Sequence, residues 1–337
     1  MNYRKIIISR TDSIGDVILT LPMASFIKKK YPSSQIIFLG NSYTKDIILC
    51  SSNIDLFIDC KEIFQRTPSS RIELFRNLKA DAIVHVFPRK EIAQLAWQSK
   101  IPIRIGTTGR FYHYLYCNKL VPLTRRRSSL HEAQLNIKLL QPFNIFSNVS
   151  LNEIGNNYGF ICPVFQSSPG KDYIDKTRFN LIIHPKSKGS SREWGTANFS
   201  ELIRLLPTDR FKIFITGTQD EGLLIKNELI DPFPQVNDMT GKFSLKELIG
   251  FIKAADGVVA ASTGPLHIAA ALGKFALGLY PPIRPMNPQR WAPTGPKAEF
   301  LVLEKKCNKC RRKNHCDCIE GISPQIVKNK ITNWING

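Results

Sequence analysis

At 337 residues, 43% of them apolar, the chain is too long for a single hydrophobic core and too apolar to be disordered, so two globular domains are expected. Its 47 Lys and Arg against 27 Asp and Glu give a net charge of +20, which points to anionic partners: nucleic acid, acidic lipid headgroups or phosphorylated substrates. No apolar run approaches the roughly 18 residues of a transmembrane helix, and Ser9-Arg10-Thr11-Asp12 cuts the apolar start short, so no signal peptide and a cytoplasmic protein are expected.

From the N-terminus, residues 5–9 read as an apolar strand, 17–30 as an amphipathic helix and 35–40 as a second strand. Further strands are expected at 55–59, 81–87 and 101–106, with helices at 70–79 and 131–140. From 141 to 178 the periodicity fades into Asn, Gly, Ser and Pro, which predicts a linker. Alternation resumes with strands at 180–184 and 211–216, helices at 199–206 and 244–255, and a strand at 257–261. The pattern predicts an α/β protein of two doubly wound parallel sheets, with ligands at the carboxyl ends of the strands in a cleft between domains. An amphipathic helix at 322–334 closes the chain, either capping the second domain or crossing back to the first.

The most telling segment is 262–280, STGPLHIAAALGKFALGLY, a turn into a small-residue helix and then a buried strand. A helix opening on Thr263-Gly264-Pro265 offers unpaired N–H groups and a positive dipole end with little side-chain bulk, which suits a phosphate. The same unit is also an ordinary component of parallel α/β proteins. In 10–22, RTDSIGDVILTLP, the residues Asp12, Ser13, Gly15 and Asp16 follow the first strand, and no dinucleotide fingerprint or P-loop is present. Asp16 projects into the cleft or caps the helix; Asp12 reads as a cap.

The segments RTDSIGDVILTLPMASFIKKKYP, HPKSKGSSREWGTANFSELI and MTGKFSLKELIGFIKAADGVVAASTGPLHIAAALGKFALGLY resemble the three sequence blocks of glycosyltransferase family 9, in order and spacing, from about residue 5 to 295. That family contains the heptosyltransferases of the lipopolysaccharide inner core. The resemblance implies the GT-B fold, with an acceptor-binding domain at 1–160, a nucleotide-sugar domain at 175–320 and a terminal helix at 321–337. It implies an inverting transfer that needs no cofactor, with Asp16 as the general base. It also implies donor contacts at Arg192, Met239, Ser262, Thr263, Gly264 and His267, and the basic loop of the second block offers Lys188 as a further cation for the phosphates. The substrates implied are a nucleotide-diphosphate sugar, ADP-heptose, and a lipid-linked saccharide acceptor such as the lipopolysaccharide core, met at the cytoplasmic face of the inner membrane.

Several of these positions carry an ordinary alternative. Lys188 also reads as a solvated loop lysine, His267 as a capped helix histidine and Met239 as core packing. Arg192 stands where the family has a lysine, keeping the charge and adding a bidentate fork. Ser262 stands where well-known heptosyltransferases carry an acid, which leaves the sugar open. A GT-B nucleotide-sugar hydrolase or epimerase is the competing enzyme class; a polyanion-binding protein without activity is the competing non-enzyme.

Basic runs at 28–30, 125–127 and 305–313 read singly as solvated surface and together as a face for an anionic membrane. Four of eight cysteines fall in CNKCRRKNHCDC: Cys307, Cys310, Cys316 and Cys318, with His315 among them. In a reducing compartment this cluster reads as a structural zinc site or as reduced thiols, and not as catalytic.

Overall fold

The computed structural model describes residues 3–125, 128–146, 148–161, 171–305 and 316–336. The chain divides into two compact units, residues 1–161 and 162–337. In the first, β1 (Lys5–Ser9), β2 (Gln35–Gly40), β3 (Leu56–Asp59), β4 (Ala82–His85), β5 (Ile103–Thr107) and β6 (Lys119–Val121) form one parallel sheet in the order β3-β2-β1-β4-β5-β6. In the second, β7 (Phe179–His184), β8 (Phe211–Ile215), β9 (Val236–Asp238), β10 (Gly257–Ala261), β11 (Phe275–Tyr280) and β12 (Ala298–Val302) form another in the order β12-β11-β10-β7-β8-β9. Both have the doubly wound order, which reverses direction between β1 and β4 and between β7 and β10. At such switch points the loops leaving the carboxyl ends diverge and open a ligand crevice.

The central strands carry the core because both of their faces are covered. Ile6, Ile7 and Ile8 of β1 and Val258, Val259 and Ala260 of β10 are essentially inaccessible, as the near-continuous apolar runs of a parallel sheet require. Trp194 is fully buried in the second unit, edge-on to Phe199 at 4.8 Å, and its indole N–H donates to the Ile322 carbonyl at 2.8 Å. The Pro324–Asn336 helix packs on the Thr196–Leu205 helix, with Trp334 stacked on Phe275 at 5.0 Å. Its apolar stripe is therefore spent on the second unit.

Three expectations need correction. The helix expected at 17–30 is two, Ile14–Ile18 and Pro22–Lys30. Pro22 has no N–H to continue a helix and fits only the first turn of the next, while Thr20 Oγ1 donates to the Asp16 carbonyl at 2.8 Å where the first helix ends. The stretch expected from 141 to be a linker is ordered into the first unit as far as Ile161: Leu151–Gly155 is a helix capped by Ser150, and Ile161 N–H donates to the Cys50 carbonyl. Ser and Asn there cap and bridge instead of loosening the chain. Finally, the helices Lys90–Gln98 and Phe111–Tyr116 and the short strand β6 had not been expected.

Candidate active site

The carboxyl end of β1 is built around one buried cation. Arg10, 2% exposed, follows the strand directly and reaches three carboxylates. Its guanidinium donates to Asp12 Oδ1 at 2.6 Å, to Glu132 Oε1 at 3.0 Å and to Asp16 Oδ1. Ser13 Oγ donates to the other Asp16 oxygen, and Asp16 stays partly exposed at the start of the Ile14–Ile18 helix. A second cation, Arg125, donates to Glu132 Oε1 at 2.8 Å and to Asn136 Oδ1 at 3.0 Å, while Asn136 Nδ2 donates to the Leu19 carbonyl at 3.0 Å. Glu132 and Asn136 lie on the Glu132–Lys138 helix, so this network joins β1, the Asp16 turn and a helix more than a hundred residues away in sequence.

Charge in this network is shared, with visible consequences. Burial works against the Arg10 charge, but Asp16, Asp12 and Glu132 raise its pKa above the ordinary arginine value. Burial pushes the Asp12 carboxyl up to about 6, opposed by Arg10 and reinforced by Asp16. Asp16 is thus held by a cation and a hydroxyl in a fixed orientation while keeping access to solvent, as a proton acceptor requires.

Beside β1, β4 ends on His85, in register with Ser9. His85 is fully buried, and neither ring nitrogen has a hydrogen-bond partner among the described residues. Its ring lies 5.8 Å from that of His113, whose Nδ1 accepts the Thr107 N–H at 2.8 Å. Burial, with His113 and Arg104 nearby, lowers the His85 pKa to about 3. The unfolded chain therefore takes up a proton near pH 6.5 that the folded chain refuses, so the His85 contribution is complete above that pH and lost on acidification toward 3. Asp12 acts in the opposite sense between pH 4 and 6, so the two must be separated by mutation. Relative to His85→Gln, the wild type is expected to lose about 2 kcal/mol of stability on going from pH 7 to 5; denaturant unfolding of both proteins at the two pH values measures it.

In the second unit the residues singled out from sequence gather on the carboxyl ends of two paired strands. β10 runs beside β7, with Ala260 opposite His184. β10 leads into Ser262 and Thr263 and the Gly264–Ala271 helix. Thr263 is its N-cap, 7% exposed, yet its hydroxyl makes no cap hydrogen bond and has no partner among the described residues. Pro265 stands in the first turn, and His267 is buried one turn further on. Ser262 shares a hydrogen bond with the buried Tyr280 hydroxyl.

β7 leads into the basic loop. Lys188 and Gly189 take φ of 48° and 77°, so Ser187 to Ser190 form a turn with both central residues left-handed, closed by Ser190 N–H to Ser187 O at 2.9 Å. Glycine meets this demand freely; Lys188 does so at a cost, and its side chain stands exposed at the tip. Glu193 pins the base of the loop, accepting from Lys186 Nζ at 2.5 Å and from Ser187 N–H at 2.9 Å. Arg192 is half-buried beside it and lines a polar depression of about 390 Å³ together with Ser187, Gly189, Ser191, Glu193, Gly195 and Glu320.

Met239 follows β9, two strands removed from β7; it is buried, and its N–H completes the sheet edge on the Ile215 carbonyl at 2.8 Å. Lys188 and Arg192 thus stand on the loop after β7, and Ser262, Thr263, Gly264 and His267 on the turn and helix after β10, its partner at the switch point; Met239 lies further along the same edge, and Asp16 belongs to the other unit. Cys307, Cys310 and His315 lie outside the described residues. Cys316 and Cys318 are buried in the core of the second unit, and among the described residues no three His, Cys, Asp or Glu side chains cluster as a metal site.

Sequence reasoning missed Arg10 as the centre of the first site, and with it Glu132, Asn136, Arg125 and His85. Arg10 carried a signal: an arginine at the end of a buried strand, two and six residues before aspartates, is a cation in need of them. Glu132 and Asn136 carried none, because only the fold brings their helix to β1.

Two doubly wound parallel units of this order are the architecture of the GT-B glycosyltransferases. Glycosyltransferase family 9 (heptosyltransferase) matches residues 71–318, and the chain belongs to that family. It is a glycosyltransferase. The lipopolysaccharide core heptosyltransferase OpsX of Haemophilus influenzae is 23% identical over 297 residues, covering 86% of this chain and 82% of the relative. The structure of the Escherichia coli ADP-heptose lipopolysaccharide heptosyltransferase II superimposes with a TM-score of 0.75 at 18% identity, over 99% of this chain and 98% of that one. A family 9 glycosyltransferase of Veillonella parvula gives 0.77 at 19% identity, over 100% and 98%. No helix among the described residues is long and apolar enough to cross a membrane.

Proposed function

We propose that the protein transfers heptose from ADP-heptose to a lipopolysaccharide-core or similar lipid-linked saccharide acceptor, with inversion at the anomeric carbon. Asp16 takes the proton of the attacking acceptor hydroxyl. As the nucleotide diphosphate departs, charge develops on its β-phosphate, and Lys188, Arg192 and the main-chain N–H groups at Thr263 and Gly264 stabilise it. Ser262 and His267 flank that seat, and Met239 belongs to the region that holds the base. No cofactor is required for this displacement.

The observation that carries the reading is the arrangement at the β7–β10 switch point. A helix N-terminus without a side-chain cap and a basic loop leave neighbouring strands at the same edge. The names of the similar proteins given above supply the sugar and the acceptor.

Equal concentrations of ADP, UDP, GDP and CDP test it through the melting temperature, since a ligand bound only by the folded state stabilises by RT ln(1 + [L]/Kd). ADP alone is expected to stabilise, by about 2.7 kcal/mol at a hundred times its Kd. Stabilisation by another diphosphate moves the donor assignment to that base, and stabilisation by none removes the seat. Turnover of ADP-heptose without acceptor would favour the hydrolase or epimerase class instead.

We further infer a cytoplasmic enzyme associated peripherally with the inner membrane, because the acceptor is lipid-linked and the chain carries +20. For the cysteine loop, the grouping of Cys307, Cys310, Cys316 and Cys318 with His315 in one short segment is the ground for a structural zinc site apart from the chemistry, with reduced thiols as the alternative. Metal analysis of the purified protein decides this: one zinc per chain for it, none against it.

A further inference from the structure

The Phe111–Tyr116 helix, FYHYLY, has an inverted distribution for a short element on a globular domain. Phe111, Tyr114 and Leu115, at i, i+3 and i+4, share one face, and they are 82%, 57% and 59% exposed. The opposite face carries His113, fully buried and held by the Thr107 N–H at 2.8 Å. The helix therefore cannot roll its apolar face inward without breaking that anchor. Trp97, at the end of the neighbouring Lys90–Gln98 helix, is 49% exposed and lies 5.8 Å from Tyr116, which extends the aromatic surface onto a second element.

The segment that carries this face is cationic. Between Arg89 and Lys119 the chain carries Arg89, Lys90, Lys100, Arg104, Arg110 and Lys119 against the single acid Glu91, which pairs with Arg89 at 3.8 Å. Arg110 and Lys119 bracket the helix, and both are exposed. Aromatic and leucine side chains bracketed by the exposed Arg110 and Lys119 match the water–lipid boundary, where rings enter the headgroup layer and the cations meet lipid phosphates. A second copy of the chain is a poor occupant, since it would bring the same six cations against one acid. The Phe111–Tyr116 helix starts from the loop after β5, so it leaves the same carboxyl edge of the parallel sheet that bears Asp16 on the loop after β1.

We infer that this face, Trp97, Phe111, Tyr114 and Leu115 framed by Arg110 and Lys119, docks the first unit on an anionic lipid surface. The inference rests on the lipid-linked acceptor proposed above. Docking there sets the edge that holds Asp16 close to the headgroup layer, where the saccharide of such an acceptor emerges.

Co-sedimentation of the full chain with vesicles tests it, using phosphatidylethanolamine with phosphatidylglycerol against phosphatidylcholine alone. The wild type is expected to pellet with the anionic vesicles only. The triple variant Phe111→Ser, Tyr114→Ser, Leu115→Ser and the double variant Arg110→Gln, Lys119→Gln are each expected to bind at least about tenfold more weakly. Because all five side chains are exposed, the melting temperature and its rise with ADP should be unchanged in both variants. Wild-type affinity in the triple variant, no binding by the wild type, or a wild-type dimer in sedimentation that the triple variant abolishes would each overturn the inference. Loss of the ADP response in the wild type would instead count against the donor reading, whatever the vesicles show.

Discussion

Asp16→Asn is expected to slow sugar transfer by about 10²–10⁴-fold, the usual contribution of a positioned general base. The substitution is nearly isosteric. The amide oxygen still accepts from Arg10, the amide nitrogen can donate to Ser13 Oγ, and the surrounding Asp12, Glu132 and Asn136 contacts are untouched. Fold and donor binding should therefore persist, and the loss should fall on kcat. Two measurements separate this from mere unfolding: the rise in melting temperature with ADP, expected to be unchanged, and single-turnover transfer with donor and acceptor saturating, expected to collapse. Transfer at the wild-type rate would show that the carboxylate serves only to neutralise Arg10 and cap the Ile14–Ile18 helix.

Arg10→Met is expected to destabilise the first unit by about 3–5 kcal/mol, because it leaves buried carboxylates facing one another without their shared cation. Glu132 suffers most; it is 1% exposed and keeps Arg125, whereas Asp12 and Asp16 can turn to water. Hydrogen exchange of peptides from β1 and β4 should rise sharply, while peptides from the second sheet stay protected, because no strand of that sheet pairs with the first. Adding Glu132→Gln should recover part of the loss, since the most deeply buried of the three carboxylates then carries no charge to repel the other two. Acid should also help the single variant, whose carboxylates can neutralise by protonation. A variant as stable as the wild type at neutral pH would mean that water satisfies these carboxylates as well as Arg10 does.

The two predictions share a physical point. The group proposed to do chemistry and the group that holds the first unit together are partners in one network, so orientation at Asp16 is set by Arg10 and, behind it, by Glu132. Removing the base costs rate; removing its holder costs the fold.

Much of this was legible in the sequence, for identifiable reasons. Short apolar runs such as 6–8 and 257–261, alternating with amphipathic helices, read as strands covered on both faces, so the parallel class followed from that alternation. Thr263-Gly264-Pro265 marked a helix start because Pro is favoured in the first turn, where its missing N–H costs nothing. These signals are local: each depends on what a residue's own backbone permits. Local reading also misled where one residue decided against its neighbours, as Pro22 did in splitting a helix and Ser150 in capping one inside a presumed linker.

What the sequence could not determine is whatever depends on strand order. Pairing β10 with β7 brings the Thr263 and Arg192 loops to one edge, and placing the Glu132–Lys138 helix against β1 closes the Arg10 network across 122 residues of chain. The exposure of Phe111, Tyr114 and Leu115 belongs here too: as a sequence they are an apolar stretch indistinguishable from core, and only the anchoring of His113 beneath them turns that face to solvent. Backbone preference acts over a few residues and is written in the chain; the meeting of distant charges and the facing of a helix are decided by packing, which exists only once the sheets have formed.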